Sequence, residues 1–286
     1  MNNLSTEEIC LSVVGDICVK DKPSNRAAIL EYEEKAKKLP QLEIPVTHHI
    51  HGGMYGREIT IPKGSIITGQ IYKFDHFDIM LSGDITVSTD SGEVKRLTGM
   101  NIFKGLSGKK RAGYAHEDTR WVTFHPFDGV DGDEIQEFIT AETFDELEQF
   151  YIELNRNDYL NFVDSIGMTQ EEITEQVDND SDMTGFPMGF DFMYVDESNI
   201  NGSGLYSKNT HSAGNLICMA RINGKRTPAG RYSNHAVSPN ASIIVNDTGD
   251  AELIAVRDIE QDEEITVNYR QVLQNRQLKG DLSCQE

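Results

Sequence analysis

The stretch that decides the fold reads Arg231-Tyr-Ser-Asn-His-Ala-Val-Ser-Pro-Asn240, a loop between two runs of strand-forming residues. Further along, Asp262-Glu-Glu-Ile-Thr-Val-Asn-Tyr269 ends a β-branched run on a tyrosine. Upstream, Gly202-Ser-Gly-Leu-Tyr206 places two glycines where a backbone can approach a neighbour closely. Each segment alone indicates only a turn, a surface loop or a strand end. Their order and spacing together form a much more specific signal.

In this order, the three segments resemble the SET domain of protein lysine methyltransferases. That family carries a Gly-x-Gly, an Arg-Phe/Tyr-x-Asn-His-x-x-x-Pro-Asn loop and a Glu-Leu/Ile-Thr-x-x-Tyr strand. The resemblance implies a compact β domain over residues 196–272, with a knot-like crossing of loop and strand beside S-adenosylmethionine. Ala236-Val237 replaces the usual Ser-Cys, Asn268 replaces an Asp, and the domain is short. The preceding region, a second subunit or the substrate itself would then complete the substrate groove.

Carried over residue by residue, the resemblance implies Tyr269 as the catalytic tyrosine. The cofactor-binding positions that it implies are Gly202, Ser203, Gly204, Leu205, Tyr206, Arg231, Tyr232, Asn234 and His235. For Tyr206 and Tyr232, a purely structural role is an equal alternative. Methyl transfer is an in-line displacement that depends on alignment more than on acid–base catalysis. Close backbone approach, amide hydrogen bonds and a phenol beside the reacting amine suit that need.

Residues 44–126 carry short β-branched and aromatic runs between turn signals, which predicts an all-β barrel or sandwich. Their frame of turn glycines, from Gly64 to Gly83, resembles the first motif of the cupins, Gly-x5-His-x-His-x3/4-Glu-x6-Gly. Other residues hold the metal-ligand positions of the cupin motifs: Gln70, Tyr72, His76 and Arg111. We therefore expect a cupin-like β-barrel without a bound metal. Arg111, with Tyr72 and Gln70, would instead suit an anionic ligand.

Two further features of this half bear on metals and origin. The run Thr47-His-His-Ile-His51 with Glu58 mimics a His-x-His-x-Glu motif, but the glycine frame assigns that motif elsewhere and Glu58 lies far along the chain. We expect His116 and His125 at the surface or the barrel mouth. The amino-acid sequences of segments 55–64 and 110–121 are similar to those of cupin-like proteins encoded by bacteriophages, which predicts a phage origin.

The net charge of −21 is concentrated in the middle of the chain. Residues 127–200 hold 21 of the 47 Asp and Glu residues and one of the 26 Lys and Arg residues. Because such a segment repels phosphate, we expect no nucleic-acid partner. A helical pattern over 143–154 and a capping box from Thr169 to Glu172 predict an acidic helical linker over 127–195. A helical segment is predicted for 1–43, and a polar tail for 273–286.

The sequence as a whole predicts a mainly β chain with α elements, of the α+β class. No apolar run approaches the roughly 18 residues of a membrane helix, no secretory signal is visible and the four cysteines are scattered. We expect a protein in the cytoplasm, that of the bacterial host if it is phage-encoded, with virion association as another outcome. The leading hypothesis is an S-adenosylmethionine-dependent lysine methyltransferase acting on a protein substrate. The alternative is a non-enzymatic assembly protein that reuses both scaffolds, and a homo-oligomer through the cupin-like region fits either.

Overall fold

The computed structural model describes residues 25–88, 94–127 and 129–274. Residues 1–24 of the predicted helical segment 1–43, and all but the first two residues of the tail predicted for 273–286, lie outside these residues. The described part of the helical segment contains one helix, Asn25–Ala36. Strands outnumber helices over the described residues, so the prediction of a mainly β chain with α elements is confirmed.

The chain divides into two compact units, Met1–Glu148 and Gln149–Glu286. The described part of the first unit contains α1 (Asn25–Ala36), β1 (Val46–His51), β2 (Met54–Ile61), β3 (Ile66–Thr68), β4 (Ile71–Tyr72), β5 (His76–Ser82), β6 (Asp84–Ser88), β7 (Val94–Thr98), β8 (Asn101–Gly105), β9 (Ala112–Ala115), β10 (Thr119–Pro126), α2 (Gly132–Ile139) and β11 (Thr140–Ala141). Asp131 caps α2, because its carboxylate accepts the first free backbone N–H groups of the helix.

The strands of the first unit form two antiparallel sheets with a shared core. The sheets have the orders β1-β2-β10-β5-β8 and β3-β9-β6-β7. Ile59 and Met80 from the first sheet pack with Ile85, Val87 and Leu97 from the second. Alternation of apolar residues decides which face of a strand is buried but not whether a sheet closes on itself. The predicted cupin-like barrel is therefore corrected, over the described residues, to an open sandwich of two sheets.

The predicted glycine frame is seen as two turns. Gly64 and Gly83 both adopt positive φ angles, 78° and 118°, which side chains other than glycine rarely tolerate. Gly83 links β5 to β6, where the chain passes from one sheet to the other, and a Cβ at this position would collide with Thr119. The turn prediction is confirmed at both positions.

Two helices follow, α3 (Phe144–Ser165) and α4 (Gln170–Asp178). The predicted capping box of α4 is confirmed, since Thr169 and Glu172 each accept the backbone N–H of the other. The α3 helix extends eleven residues beyond the predicted end at Leu154, because further apolar residues continue its buried face. The boundary between the two units falls inside this helix. None of the described helices is long and apolar enough to cross a membrane.

The described part of the second unit contains, besides these helices, β12 (Met193–Glu197), β13 (Ser203–Ser207), β14 (Leu216–Ile222), β15 (Lys225–Arg226), α5 (Pro228–Arg231), β16 (Asn234–His235), β17 (Ala241–Val245), β18 (Ala251–Ala255) and β19 (Thr266–Val267). Strands β15-β14-β18-β17 form one sheet, and β12 pairs with β13. The core of this unit includes four side chains that solvent does not reach: Leu205, Ile217, Leu253 and Ile265.

The loop and the strand that were singled out in the sequence lie side by side. Strand β16 pairs in parallel with β19, with Asn234 opposite Thr266 and His235 opposite Val267. The Oδ1 of Asn240 accepts the backbone N–H of Thr266 at 2.8 Å. Residues at both ends of the loop, Asn234 and Asn240, therefore contact β19. Parallel neighbours need a long connection between them, and residues 236–265 supply it. The predicted meeting of loop and strand is observed as this parallel pair, which is called the crossing below.

Candidate functional site

Three segments that are distant in the sequence meet at the crossing. Leu205 of β13 forms an antiparallel bridge with Ile265, which immediately precedes β19. The Asn234 Nδ2 donates to the carbonyl oxygen of Ser203 at 3.1 Å and to Oε1 of Glu264 at 2.8 Å. The Gly-x-Gly strand, the Asn-His loop and the Tyr-bearing strand therefore form one site.

The Asn234 side chain is buried and engaged within the protein. Besides its two contacts above, Nδ2 lies 3.0 Å from Oγ of Ser198 and 3.2 Å from the carbonyl oxygen of Asn201. An amide nitrogen has two hydrogens to share among these four acceptors. Its amide nitrogen is thus saturated, and the backbone around Asn234 is the better candidate for holding a ligand.

The two glycines of the Gly-x-Gly serve different purposes. A Cβ at Gly204 would lie 2.5 Å from Oε1 of Glu264, so glycine is what allows that carboxylate to reach Asn234. Gly202 has a positive φ of 54° and open space where a Cβ would be. A ligand can therefore approach the backbone closely at Gly202, whereas Glu264 already occupies the space beside Gly204.

The other positions predicted on β13 differ in exposure. Ser203 is exposed, whereas Leu205 is fully buried in the core and its side chain is out of a ligand's reach. The Tyr206 hydroxyl donates to the carbonyl oxygen of Glu197 at 2.8 Å, and its ring stacks on Tyr194 with centroids 5.5 Å apart. Burial, and then the nearby Glu264 carboxylate, raise the pKa of Tyr206 to about 12. Tyr206 is therefore a neutral phenol that braces the hairpin.

Tyr269 lies at the centre of an aromatic group. Its hydroxyl donates to the carbonyl oxygen of Ser233 at 3.1 Å. The ring centroids of Tyr159, Phe162 and His235 lie 6.1, 6.0 and 5.1 Å from that of Tyr269. Burial, and next the Tyr159 phenol, raise the pKa of Tyr269 to about 12. The phenol thus stays neutral near pH 7 and can orient a partner through its oxygen lone pairs, but it is not a base.

His235 connects Tyr269 to the half-buried ion pair of Asp158 and Arg270. Its Nδ1 accepts the backbone N–H of Tyr269 at 3.2 Å, and its Nε2 lies 2.9 Å from Oδ2 of Asp158. Because Nδ1 accepts, Nε2 carries the proton and donates it to Asp158. Burial lowers the pKa of His235, which keeps the ring neutral. Arg270 donates to Oδ1 of Asp158 at 3.0 Å and holds the pKa of that carboxyl below its usual range.

Helix α3 contributes a face to the site that the sequence analysis did not identify. Asp158, Tyr159 and Phe162 contact His235 or Tyr269, and Asn155 accepts the backbone N–H of Val237 at 3.0 Å through Oδ1. The four helix residues are spaced i, i+3, i+4 and i+7, which is one face of an α-helix. This spacing was visible in the sequence, inside the segment that was predicted to be an acidic linker.

Arg231 and Tyr232 complete the predicted set. The Arg231 guanidinium lies 5.4 Å above the Tyr232 ring, and its Nη2 is 3.3 Å from Oδ1 of Asp178. Its Nε is buried and has no hydrogen-bond partner among the described residues. The positive charge of Arg231 interacts with the Tyr269 phenol and lowers its pKa, against the larger effect of burial. Tyr232 packs against the core of the second unit.

One histidine of the run that mimics a metal motif pairs with Glu58. Pairing of β1 with β2 brings His49 to 2.9 Å from Glu58, closer than the sequence distance suggested, but Arg120 binds the same carboxylate at 2.6 Å. No group of three or more His, Cys, Asp or Glu side chains in the described ranges is arranged to hold a metal ion. His116 is half-buried and contacts Thr86.

The expectation that His125 lies at the surface or the barrel mouth is wrong. Its side chain is buried, and neither ring nitrogen has a partner among the described residues. Burial, followed by the charge of His76, lowers the pKa of His125 to about 3. On β10, His125 shares the inward face with Thr123, so strand alternation rather than chain position decides its location.

One family model matches the chain, that of the SET domain, over residues 60–270. The matched range includes all the motif residues described above and also much of the first unit. No curated protein sequence matches the chain.

Solved structures resemble parts of the chain. Ectoine synthase from P. lautus is 16% identical, covers 36% of this chain and 78% of its own, and gives a TM-score of 0.29. A cupin superfamily protein from Desulfitobacterium hafniense is 11% identical, with coverages of 32% and 84% and a TM-score of 0.27. A putative histone methyltransferase from Plasmodium falciparum is 18% identical, with coverages of 27% and 91% and a TM-score of 0.24.

Proposed function

Because this chain belongs to the SET-domain family, we propose that it transfers a methyl group from S-adenosylmethionine to the side-chain nitrogen of a lysine in a protein. The observation that carries this proposal is the meeting of three segments at the crossing of β16 and β19. It places the open Gly202, the Asn-His loop and the neutral phenol of Tyr269 in one unit of the fold.

The chain offers groups that fit such a cofactor. Gly202 leaves space for close approach of a ligand. The buried Nε–H of Arg231 has no partner among the residues that the structure describes, and a carboxylate could supply one. We propose that these two groups, with the backbone around Asn234 and His235, hold the cofactor. Bound there, S-adenosylmethionine would supply an activated methyl group on a sulfonium sulfur.

The aromatic group around Tyr269 suits a lysine side chain. Tyr159, Phe162 and Tyr269 present ring surface that removes an amine from water, and desolvation lowers the pKa of an amine. The Arg231 charge acts in the same direction, because a neighbouring cation disfavours the ammonium form. The Tyr269 oxygen keeps lone pairs to accept an amine N–H while it donates to Ser233. The chain's contribution is therefore to orient a neutral amine.

One observation favours a second candidate, a non-enzymatic assembly protein. The amide nitrogen of Asn234 and both ring nitrogens of His235 are engaged within the protein. A scaffold that kept the crossing and lost the cofactor would retain the same contacts. The two candidates differ in whether the chain binds the cofactor.

The test is calorimetric titration of the full chain with S-adenosylmethionine. Gly202→Asn puts an amide into the open space at Gly202, and Asn is among the residues that tolerate a positive φ. Gly249→Asn is the matched control, because Gly249 also has a positive φ and open space but lies in the turn between β17 and β18. We expect micromolar binding in the wild type and in Gly249→Asn, and none in Gly202→Asn. No binding by the wild type at millimolar cofactor would favour the scaffold.

The biological setting is proposed on the sequence alone. We propose a phage origin because segments 55–64 and 110–121 are similar to phage-encoded proteins. A location in the cytoplasm of the host, or association with a virion, would follow from that origin. Mass spectrometry of the chain after incubation with the cofactor would first test its own lysines as acceptors.

A further inference from the structure

A cavity of about 240 Å³ lies between the two sheets of the first unit. One part of its wall is apolar and formed by core residues of both sheets, including Ile59, Ile61, Ile85 and Val87. Small-molecule sites have volumes of roughly 300 to 1,000 Å³. The cavity lies just below that range and is therefore suited to a small ligand.

Another part of the wall is polar and carries the residues that replace the cupin metal ligands: Gln70, Tyr72, His76 and Arg111. Among the described residues, the Asp, Glu, Lys and Arg side chains of the wall are Arg57, Lys109, Arg111 and Asp78. Three cations against one carboxylate leave this wall with an excess of positive charge.

The single carboxylate is already well satisfied. Oδ2 of Asp78 accepts from Nη1 of Arg111 at 2.6 Å, and Oδ1 accepts from the indole N–H of Trp121 at 2.9 Å. Burial raises the pKa of Asp78, but His76, followed by Trp121 and Arg111, lowers it below its usual range, so the carboxylate stays ionised. Arg57 reaches the cavity from β2, beside the Tyr72 phenol, with its Nε held by Gln136. The positive charge of Arg57 is therefore not cancelled by Asp78.

The amide of Gln70 provides an independent observation. Its Oε1 is buried and has no hydrogen-bond partner among the described residues. A buried acceptor without a donor is costly, so a donor on a bound molecule would stabilise it. Gly69, the residue before Gln70, is bonded through its N–H to the carbonyl oxygen of Arg111 at 2.7 Å. This bond joins the two stretches of chain from which Gln70 and Arg111 line the cavity.

We propose that the cavity binds a small 2-hydroxycarboxylic acid with an apolar side chain. The carboxylate faces Arg57 and Arg111, the hydroxyl donates to Oε1 of Gln70, and the side chain packs against Ile59 and Val87. The charge excess selects the acid, the unpartnered acceptor selects the hydroxyl and the core residues select the apolar chain. This site is independent of the methyl transfer proposed for the second unit.

The test compares three probes of one shape on the full chain by calorimetry: 2-hydroxy-4-methylpentanoate, 4-methylpentanoate and the neutral 4-methylpentanamide. We expect the hydroxy acid to bind most tightly and the amide to bind about tenfold to a hundredfold more weakly than the plain acid, since hydrogen bonds to charged groups are the stronger ones. Equal affinity of acid and amide, or no binding by any probe, would overturn the proposal.

Two variants locate the site. Arg57→Gln removes one cavity cation, and we expect it to weaken binding of the hydroxy acid at least about tenfold. Lys104→Gln is the control, because Lys104 is exposed on β8 and does not line the cavity. Val87→Phe fills the apolar end and should abolish binding. If Val87→Phe does not fold, Arg57→Gln decides alone, and unchanged affinity in Arg57→Gln contradicts the proposal.

Discussion

The Nδ1 atom of His235 accepts a hydrogen bond from the backbone N–H of Tyr269 across a separation of 34 residues. The bond lies just beyond the parallel pairs of β16 and β19, where the chain leaves the strand. It fixes the tautomer of the imidazole, and the Nε2–H then points to Asp158. The position of the proposed catalytic tyrosine therefore depends on a histidine and, through it, on helix α3.

Tyr269→Phe should separate catalysis from cofactor binding. The variant keeps the ring among its aromatic neighbours and loses the hydroxyl that donates to Ser233. We expect the free energy of unfolding to fall by about 1 kcal/mol and the methyl-transfer rate to fall at least about a hundredfold, the scale of losing one oriented polar group in an active site. Affinity for S-adenosylmethionine, measured by calorimetry, should stay within about threefold of the wild type. An unchanged rate would remove Tyr269 from the mechanism.

Asp158 should act as a positioning residue. Asp158→Ala leaves the buried Nε2–H of His235 without an acceptor, which should cost about 1 to 3 kcal/mol in chemical denaturation. Asp158→Asn keeps an oxygen for that N–H and should restore much of the stability and the methyl-transfer rate. The control is Asp164→Ala on the same helix, where the side chain is exposed. Equal effects of the Ala changes at Asp158 and Asp164 would show that the contact with His235 is unimportant.

The crossing could be predicted from the sequence because the residues that make it are themselves the motif. Asn234 and Asn240 hold Glu264 and Thr266 through side-chain hydrogen bonds, so residue type and contact coincide. The same holds for the turn glycines of the first unit, whose positive φ angles few other residues adopt.

The contribution of helix α3 could not be predicted in the same way. Periodicity shows that one face of a helix is buried, but it does not identify the partner of that face. The acidic composition of the segment, which favours a solvated linker, hid Asp158 and its contact with His235. In the first unit, the alternation of apolar residues likewise predicted which face of each strand is buried. It did not predict whether the sheets close on themselves, because a barrel and a sandwich both bury every second residue.

Gly204→Ala tests the close approach of Glu264. A Cβ at Gly204 would lie 2.5 Å from Oε1 of Glu264, so the carboxylate must move away from Asn234. We expect the free energy of unfolding to fall by about 1 kcal/mol, because the flexible carboxylate moves aside and loses its hydrogen bond with Asn234. Gly185→Ala is the matched control, because Gly185 has open space and no positive φ. Equal stability of the two variants in urea would show that Glu264 can give way freely.

His125 should make the stability of the chain depend on pH. Because burial lowers its pKa to about 3, the unfolded chain, with a histidine pKa near 6.5, takes up the proton first as the pH falls. The contribution of neutral His125 to the free energy of unfolding is therefore fully present above about pH 6.5. This contribution is lost as the pH falls from about 6.5 to about 3. At pH 5 the loss should be about 2 kcal/mol relative to pH 7.

His125→Phe should remove this dependence without harming the fold at pH 7. Neither ring nitrogen has a partner among the described residues, so an apolar ring sacrifices no hydrogen bond, and it keeps its place against Tyr72 and His76. We expect the variant to match or exceed the wild type at pH 7 and to be about 2 kcal/mol more stable than it at pH 5. His51→Gln, at an exposed position of β1, should follow the wild type at both values. Parallel loss of stability in His125→Phe and the wild type, measured by urea unfolding at the two pH values, would mean that another group takes up the proton.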